Sequence, residues 1–191
     1  RRVLGEMGEV WIEDPATPGR RLPAVEVASL ENPPVTLLRC EGLTAAPLPL
    51  GEQFAAEGEF LAVHRAGGPL SALKPEVARG KAVAPAQEDL GGRFLHTAVL
   101  PRGLGGGPIV DTTGRVVGLV APTPRTEASG NTRGLGIPVE RIWPLLKEQL
   151  ADLAPSKAEE PAPAWEAIAA RATPATVRVI AFEKRVKPKT E

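Results

Sequence analysis

Apolar and polar positions alternate along the chain in short runs, and glycine, proline, asparagine or aspartate bounds almost every run. A period of two is the signature of a half-buried β-strand, because successive side chains point to opposite faces of the sheet. Strands are therefore expected at GEVWI (8–12), LPAVEVASL (22–30), PVTLLRCE (34–41), EFLAVHRA (59–66) and ARGKAVAPA (78–86). Four more are expected at RFLHTAVL (93–100), GPIVDT (107–112), RVVGLVAPT (115–123) and GLGIPV (134–139). DTTG (111–114) reads as a hairpin turn with Gly114 at positive φ. Short strands at this spacing point to an all-β barrel or sandwich.

The period changes to a helical one at PVERIWPLLKEQLADL (138–153), where Val139, Ile142, Leu145, Leu146 and Leu150 share one face. Pro144 falls early in the run, at a first turn or a kink. The pattern over 1–153 is thus an antiparallel β-barrel closed by a C-terminal helix. APSKAEEPAPA (154–164) has almost nothing to bury and reads as a semi-rigid linker. Beyond it, WEAIAARA (165–172) is helical in pattern and TPATVRVIAF (173–182) alternates like a strand. Residues 165–191 are too short for a domain and read as the start of a second one or as a loosely packed tail. A near-complete C-terminal barrel and helix are expected beside a less orderly N-terminal stretch.

Composition narrows the functional classes. The 191 residues suffice for one or two domains with a real core. Twenty-three basic residues balance 23 acidic ones, so the basic excess needed for nucleic-acid binding by counterion release is missing. No apolar run is long enough for a membrane span. Cys40 is the only cysteine, which rules out an intrachain disulfide or a cysteine zinc cluster. It falls in a strand pattern with no helix start beside it and is expected to be a buried structural thiol. The sequence opens on Arg1 in RRVLGEMGEVWIED, without an initiating Met or signal-peptide pattern, and the closing EKRVKPKTE follows directly on a strand; the expectation is a fragment of a longer protein.

The candidate chemistry sits in GLGGGPIV (103–110), four glycines in five positions stopped by a proline. A dinucleotide fingerprint would need a third glycine where Pro108 stands and a helix where a strand follows. A phosphate-binding Walker loop would need Gly-Lys-Ser/Thr, which is not there. The remaining use of such a loop is to converge backbone N–H groups on the oxyanion of an acyl-transfer intermediate.

In that role the stretch resembles G-x-S-G-G-P followed by an apolar strand, a hairpin and V-V-G-(I/L), the nucleophile loop of chymotrypsin-type (trypsin-like) serine proteases. The resemblance is closer to their HtrA (Do-like) bacterial branch and runs in order over residues 8–150. GRRLPAVEVASLENP is similar to the segment after the catalytic-His strand, and VTLLRCEGLTAAPLPLGE to the strand and loop linking two barrels. EGEFLAVHRAGGP is similar to V-G-x-x-V-x-A-I-G-x-P, and GLGIPVERIWPLLKEQL to the closing G-F-A-I-P strand and helix. The implied fold is a trypsin-like barrel, mainly the C-terminal one, with the N-terminal barrel largely missing.

The catalytic positions transfer badly. The family's nucleophile falls on Gly105, which has no Oγ, and its Asp falls on or beside Pro34 in ENPPVTLL, with Glu31 and Asn32 in the turn nearby. The His would precede residue 1. Gly103, Leu104 and Gly105 correspond to the oxyanion loop, although HTAVLPRGLG is one residue shorter than the family's Q-T-D-A-x-I-x-P-G-N-S and lacks its Asp. His64 or His96 could be recruited as a base with Ser29, Ser71 or Ser129, but a lone strand histidine is more often structural. The two histidines have no acidic or cysteine cluster around them at ligand spacing, so no metal site is expected, and no cofactor.

Two functions follow from the resemblance. One is a catalytically inactive protease homologue that serves as a scaffold or binds extended peptides by strand addition, with Val117, Gly118, Leu119, Val120 and Ala121 as the groove. The other is a segment of an active HtrA-like endopeptidase whose working triad lies in flanking domains. The tail itself resembles the opening helix and P-A-V-V-x-I strand of such a domain, so a neighbouring protease-like domain in the same protein is an expected partner. Exported or periplasmic bacterial surroundings are implied by the resemblance alone.

Overall fold

The computed structural model describes residues 7–17, 19–65, 75–100, 105–122, 134–158 and 160–183. Ten strands and two helices are present among these, in two β-systems. Strands β1 (Met7–Glu13), β2 (Arg21–Leu30) and β3 (Val35–Cys40) form one sheet with β10 (Arg178–Glu183), in the order β10-β1-β2-β3. Strands β4 (Glu59–Arg65), β5 (Pro75–Gln87), β6 (Arg93–His96), β7 (Pro108–Asp111), β8 (Val116–Ala121) and β9 (Gly134–Pro138) close into a barrel, in the order β4-β5-β6-β9-β8-β7. Every pairing between these strands is antiparallel.

The nine strands expected in residues 8–139 are all present. β6 is shorter than RFLHTAVL suggests, because pairing to β9 ends at His96. The DTTG hairpin forms with Gly114 at φ 82°. Its Asp111 carboxylate accepts from Thr113 N at 2.9 Å, Thr113 Oγ1 at 2.8 Å and Arg115 N at 2.9 Å, so one side chain organises the whole turn.

The barrel interior is filled by Phe60 and Ala62 of β4, Phe94 of β6, Ile109 of β7, and Val117 and Val120 of β8. Phe54, from the segment before β4, stacks on Phe94 with ring centroids 3.9 Å apart. The alternate residues of β4, Leu61 and Val63, are also buried, which a one-sided sheet would leave exposed. Helix α2 (Trp165–Ala175) covers them: Ile168 and Ala172 join Leu61, Val63, Val110 and Val116 in a second cluster. Arg79 of β5 lies over the Trp165 ring, 4.8 Å from its centroid, and fixes the start of that helix.

The C-terminal tail thus packs on both β-systems. α2 lies on the barrel, and β10 pairs with β1 at Val10↔Ala181, Trp11↔Ile180, Ile12↔Val179 and Glu13↔Arg178. The N-terminal stretch, expected to be less regular, forms an ordered sheet because β10 supplies the partner that β1 needs on its outer side. The linker is held at one point by Ser156 N donating to Leu50 O at 2.7 Å.

The helix expected over 138–153 is shorter. A 3-10 turn at Val139–Arg141 precedes α1 (Trp143–Gln149), and Pro144 sits in the first turn of α1, where its missing N–H is harmless. α1 binds the two halves together. Trp143 Nε1 donates to Gly51 O at 3.1 Å, and Leu146 of α1, Val35 of β3 and Leu119 of β8 all pack against the cluster of Ala121, Leu135, Ile137 and Ile142. No helix among the described residues is long and apolar enough to cross a membrane.

Candidate functional site

The Gly-rich stretch leads directly into β7. Gly103 and Leu104, expected in an oxyanion-like loop, lie outside the described residues; Gly105, Gly106 and Gly107 are described. Gly106 N donates to Val120 O at 2.7 Å, and Val120 N donates to Gly107 O at 2.8 Å. The loop is therefore stitched to β8 by its own backbone, and Gly106 adopts φ 88°, a conformation that disfavours any side chain. Gly107 is buried so close to β4 that a Cβ would fall 1.8 Å from Val63 O.

Gly105 is solvent-exposed, and the space beside its Cα is filled. A Cβ built there would stand 2.8 Å from both Cδ and Cγ of Pro122 and 3.0 Å from its N. Real Cβ atoms do not approach carbon so closely, so a side chain at 105 requires Pro122 to move. Pro122 follows β8 directly, which makes the ring a fixed neighbour of the loop.

The residues expected to form a peptide groove lie inside the barrel wall. β8 pairs with β7 at Pro108↔Leu119 and Ile109↔Gly118, and with β9 at Gly118↔Pro138, Leu119↔Ile137, Val120↔Gly136 and Ala121↔Leu135. Val117, Val120 and Ala121 are buried, Gly118 is buried, and Leu119 is half-buried. The closed barrel uses both sides of β8 over this stretch.

Pro34 is exposed in the turn that joins β2 to β3, beside Glu31 and Asn32, and Asn32–Pro33 is cis. No carboxylate occupies position 34. Ser29 sits on β2, opposite Thr36, in the sheet rather than the barrel. Ser71 and Ser129 lie outside the described residues.

Both histidines are buried in the barrel, and neither is hydrogen-bonded to a serine. His64 Nε2 is 3.3 Å from Glu76 Oε2, directly across β4 and β5, without hydrogen-bond alignment. His96 is fully buried, edge-on to Phe60 with ring centroids 5.4 Å apart. Neither of its nitrogens has a hydrogen-bond partner. Burial holds the His96 imidazole below its ordinary pKa; the backbone groups of Leu135 and Ala98 lie near enough to oppose this in part but do not reach hydrogen-bond geometry. A neutral, enclosed imidazole of this kind is a packing element. No cluster of three or more His, Cys, Asp or Glu among the described residues could hold a metal ion.

Cys40, expected to be buried, is half-buried at the end of β3. Burial and then the nearby Asp14 carboxylate push its thiol up, so it is not an activated nucleophile. Sequence reasoning passed over Asp14 as well as Pro122. Asp14 is 1% exposed and accepts from Ala16 N at 3.0 Å, Arg20 Nη1 at 3.1 Å and Thr44 Oγ1 at 3.0 Å. The sequence signal was DPATPG, a turn with an Asx start, but the Thr44 contact spans thirty residues and is invisible locally.

Comparison with known proteins agrees with this architecture. A family profile described as "Trypsin-like peptidase domain" matches residues 1–119. Among solved structures, the crystal structure of the Rv3671c protease in its inactive form superposes with a TM-score of 0.50 at 18% identity, covering 68% of this chain and 68% of that one. No curated protein matches the sequence.

Proposed function

The chain belongs to the trypsin-like peptidase domain family, and from that membership we propose that it is a catalytically inactive homologue serving as a scaffold or peptide-binding module of a larger protein. The contact between Gly105 and Pro122 carries this reading. Position 105 corresponds to the family's nucleophile, and here it lacks an Oγ while the ring of Pro122 takes the volume a side chain would need. The other positions agree with it. Pro34 replaces the acid that would orient a histidine, and both described histidines are buried.

Strand addition needs main-chain groups and not a triad; β8 is paired on both sides within the closed barrel, so the edges left for an extended peptide are those of the four-stranded sheet. The test is incubation with a library of fluorogenic and fluorescently labelled extended peptides. The proposal expects saturable binding of some peptides, read by fluorescence polarisation, with no hydrolysis of any. Turnover that copurifies with the monodisperse chain would overturn the inactive reading. The absence of all binding would remove the peptide-binding part and leave the scaffold role.

A further inference from the structure

His96 stands at the last rung of the ladder between β6 and β9, opposite Gly134. Its ring is fully buried, and neither nitrogen has a hydrogen-bond partner. The ring lies where a side chain on residue 134 would be: a Cβ there would run into Cε1, Nε2 and Nδ1. The side chains around it are apolar on every element, namely Phe60 of β4, Ala82 of β5, Phe94 of β6, Leu135 of β9, and Ala98. The described charged groups on these strands are engaged elsewhere. Glu59 and Lys81 pair with each other at 3.1 Å on the exposed side, Arg79 lies over Trp165, and Arg93 Nη1 donates to Leu90 O at 3.4 Å. β8 and β9 carry no charged residue. His64 and Glu76 share the barrel-facing row of β4 and β5, but they lie beyond Phe60 by about 13 Å of strand.

A proton on this imidazole creates a buried charge with nothing to pair with, which is costly unless a neighbour moves. The ladders on either side show which neighbour is free to do so. β6 is held to β5 beyond the histidine: Thr97 N donates to Lys81 O at 3.0 Å, Lys81 N donates to Thr97 Oγ1 at 3.0 Å, and Ala98 packs on Gly80. β9 has no such hold, since Gly134 is its first residue and His96 its last partner on that side. On its other side, β9 pairs with β8 as far as Ala121↔Leu135, and the next residue, Pro122, has no N–H to extend the ladder. We propose that protonation of His96 lifts the start of β9 off β6 and lets water reach the ring, loosening the seat of Pro122 against Gly105 while the rest of the barrel stays closed. The closed form holds the imidazole below its ordinary pKa and the open form does not. Each pH unit below about 6.5 therefore shifts the balance toward the open form by up to about tenfold. Acid acts in this way on the end of the barrel that carries the candidate site, whether or not that site binds peptides.

Native-state hydrogen exchange of the full chain in sub-denaturing urea tests this, because a local opening exposes little surface and responds weakly to urea. At about pH 5 the amides around His96 and Gly134 should exchange through an opening insensitive to urea, whereas those of Leu61 and Ala62 exchange only through the urea-sensitive global one. Corrected for intrinsic exchange rates, the local opening constant should rise by up to about tenfold per pH unit below about 6.5. His96→Leu and His96→Phe, each checked for folding by circular dichroism, should hold the local opening at its neutral-pH level throughout. A wild-type chain whose His96 and Gly134 amides follow the same urea dependence as Leu61 overturns the proposal, and so does a local opening that is equal at neutral and acid pH. The wild-type profile decides this even where neither variant folds. Local opening that still rises with acid in a folded variant assigns the effect to another group, such as His64 with Glu76, and also overturns the proposal.

Discussion

The Pro122 ring stands where a side chain on Gly105 would have to be, with 2.8 Å between the required Cβ and the proline Cδ. The two residues are joined through the loop's own ladder, since Gly106 donates to Val120 two residues before the proline. Gly105→Ala is therefore expected to cost about 1–2 kcal/mol through overpacking, although the position is at the surface. The cost should shrink in a Pro122→Ala background. A double-mutant cycle by urea denaturation measures this, and additivity of the two changes would show that they do not touch.

Gly105→Ser is expected to gain no peptidase activity, in either background. It adds a hydroxyl without the base that must take its proton, and without an acid at position 34 to orient one. Assay against a denatured protein substrate checks this; turnover by the single variant would contradict the placement of the acid at Pro34.

Stability should depend on pH through His96. Its folded pKa lies below the unfolded value of about 6.5, so the unfolded chain binds the proton first as pH falls. The contribution of the neutral, buried ring is intact above that pH and is lost progressively below it, down to the folded pKa. As pH falls below about 6.5, the unfolding free energy from urea denaturation should fall by up to ~1.4 kcal/mol per pH unit until the folded pKa is reached. His96→Leu should flatten this part of the profile. An unchanged slope in that variant would assign the effect to another group.

Helix α2 should be an integral part of the fold. Ile168 is 1% exposed, and Ile168→Ala is expected to cost about 2–5 kcal/mol, a large share of the stability of a small domain. Hydrogen exchange should show the amides of α2 protected with those of β4. Rapid exchange of α2 alone would mean that it docks only transiently.

Asp14→Ala should be as damaging as a core truncation, about 3 kcal/mol, since it strips the partner from Thr44 Oγ1, Arg20 and the Ala16 amide together. Asp14→Asn keeps an acceptor and should recover part of the loss. Thermal denaturation of the two variants separates the lost hydrogen bonds from the lost charge.

The barrel was readable because its strands are β-type runs punctuated by residues that break β-structure. Leu61 and Val63 were less transparent. Burial on both faces of β4 gives a continuous apolar run, and only the distant helix α2 explains it. The pairing of β10 with β1 joins residues about as far apart in the chain as its length permits, and local alternation carries no information on partner choice. The apolar face of α1 continues past Gln149 in the sequence, but Leu150 leaves helical geometry at φ −135°, ψ 77°, so the helix is shorter than its pattern. At the candidate site, the glycine at 105, where the proposed alignment sets the family's nucleophile, was plain in the sequence. The proline that fills the space beside it was not, since Gly105 and Pro122 meet only after β7 and β8 have paired.

The central claim is that this trypsin-like chain has no working nucleophile, and a fluorophosphonate probe tests it most directly. Intact-mass analysis after incubation at neutral pH should show the unmodified chain, for the wild type and under conditions that fully label an active serine protease. A stoichiometric single adduct on a serine, abolished by heat denaturation before labelling, would contradict the account.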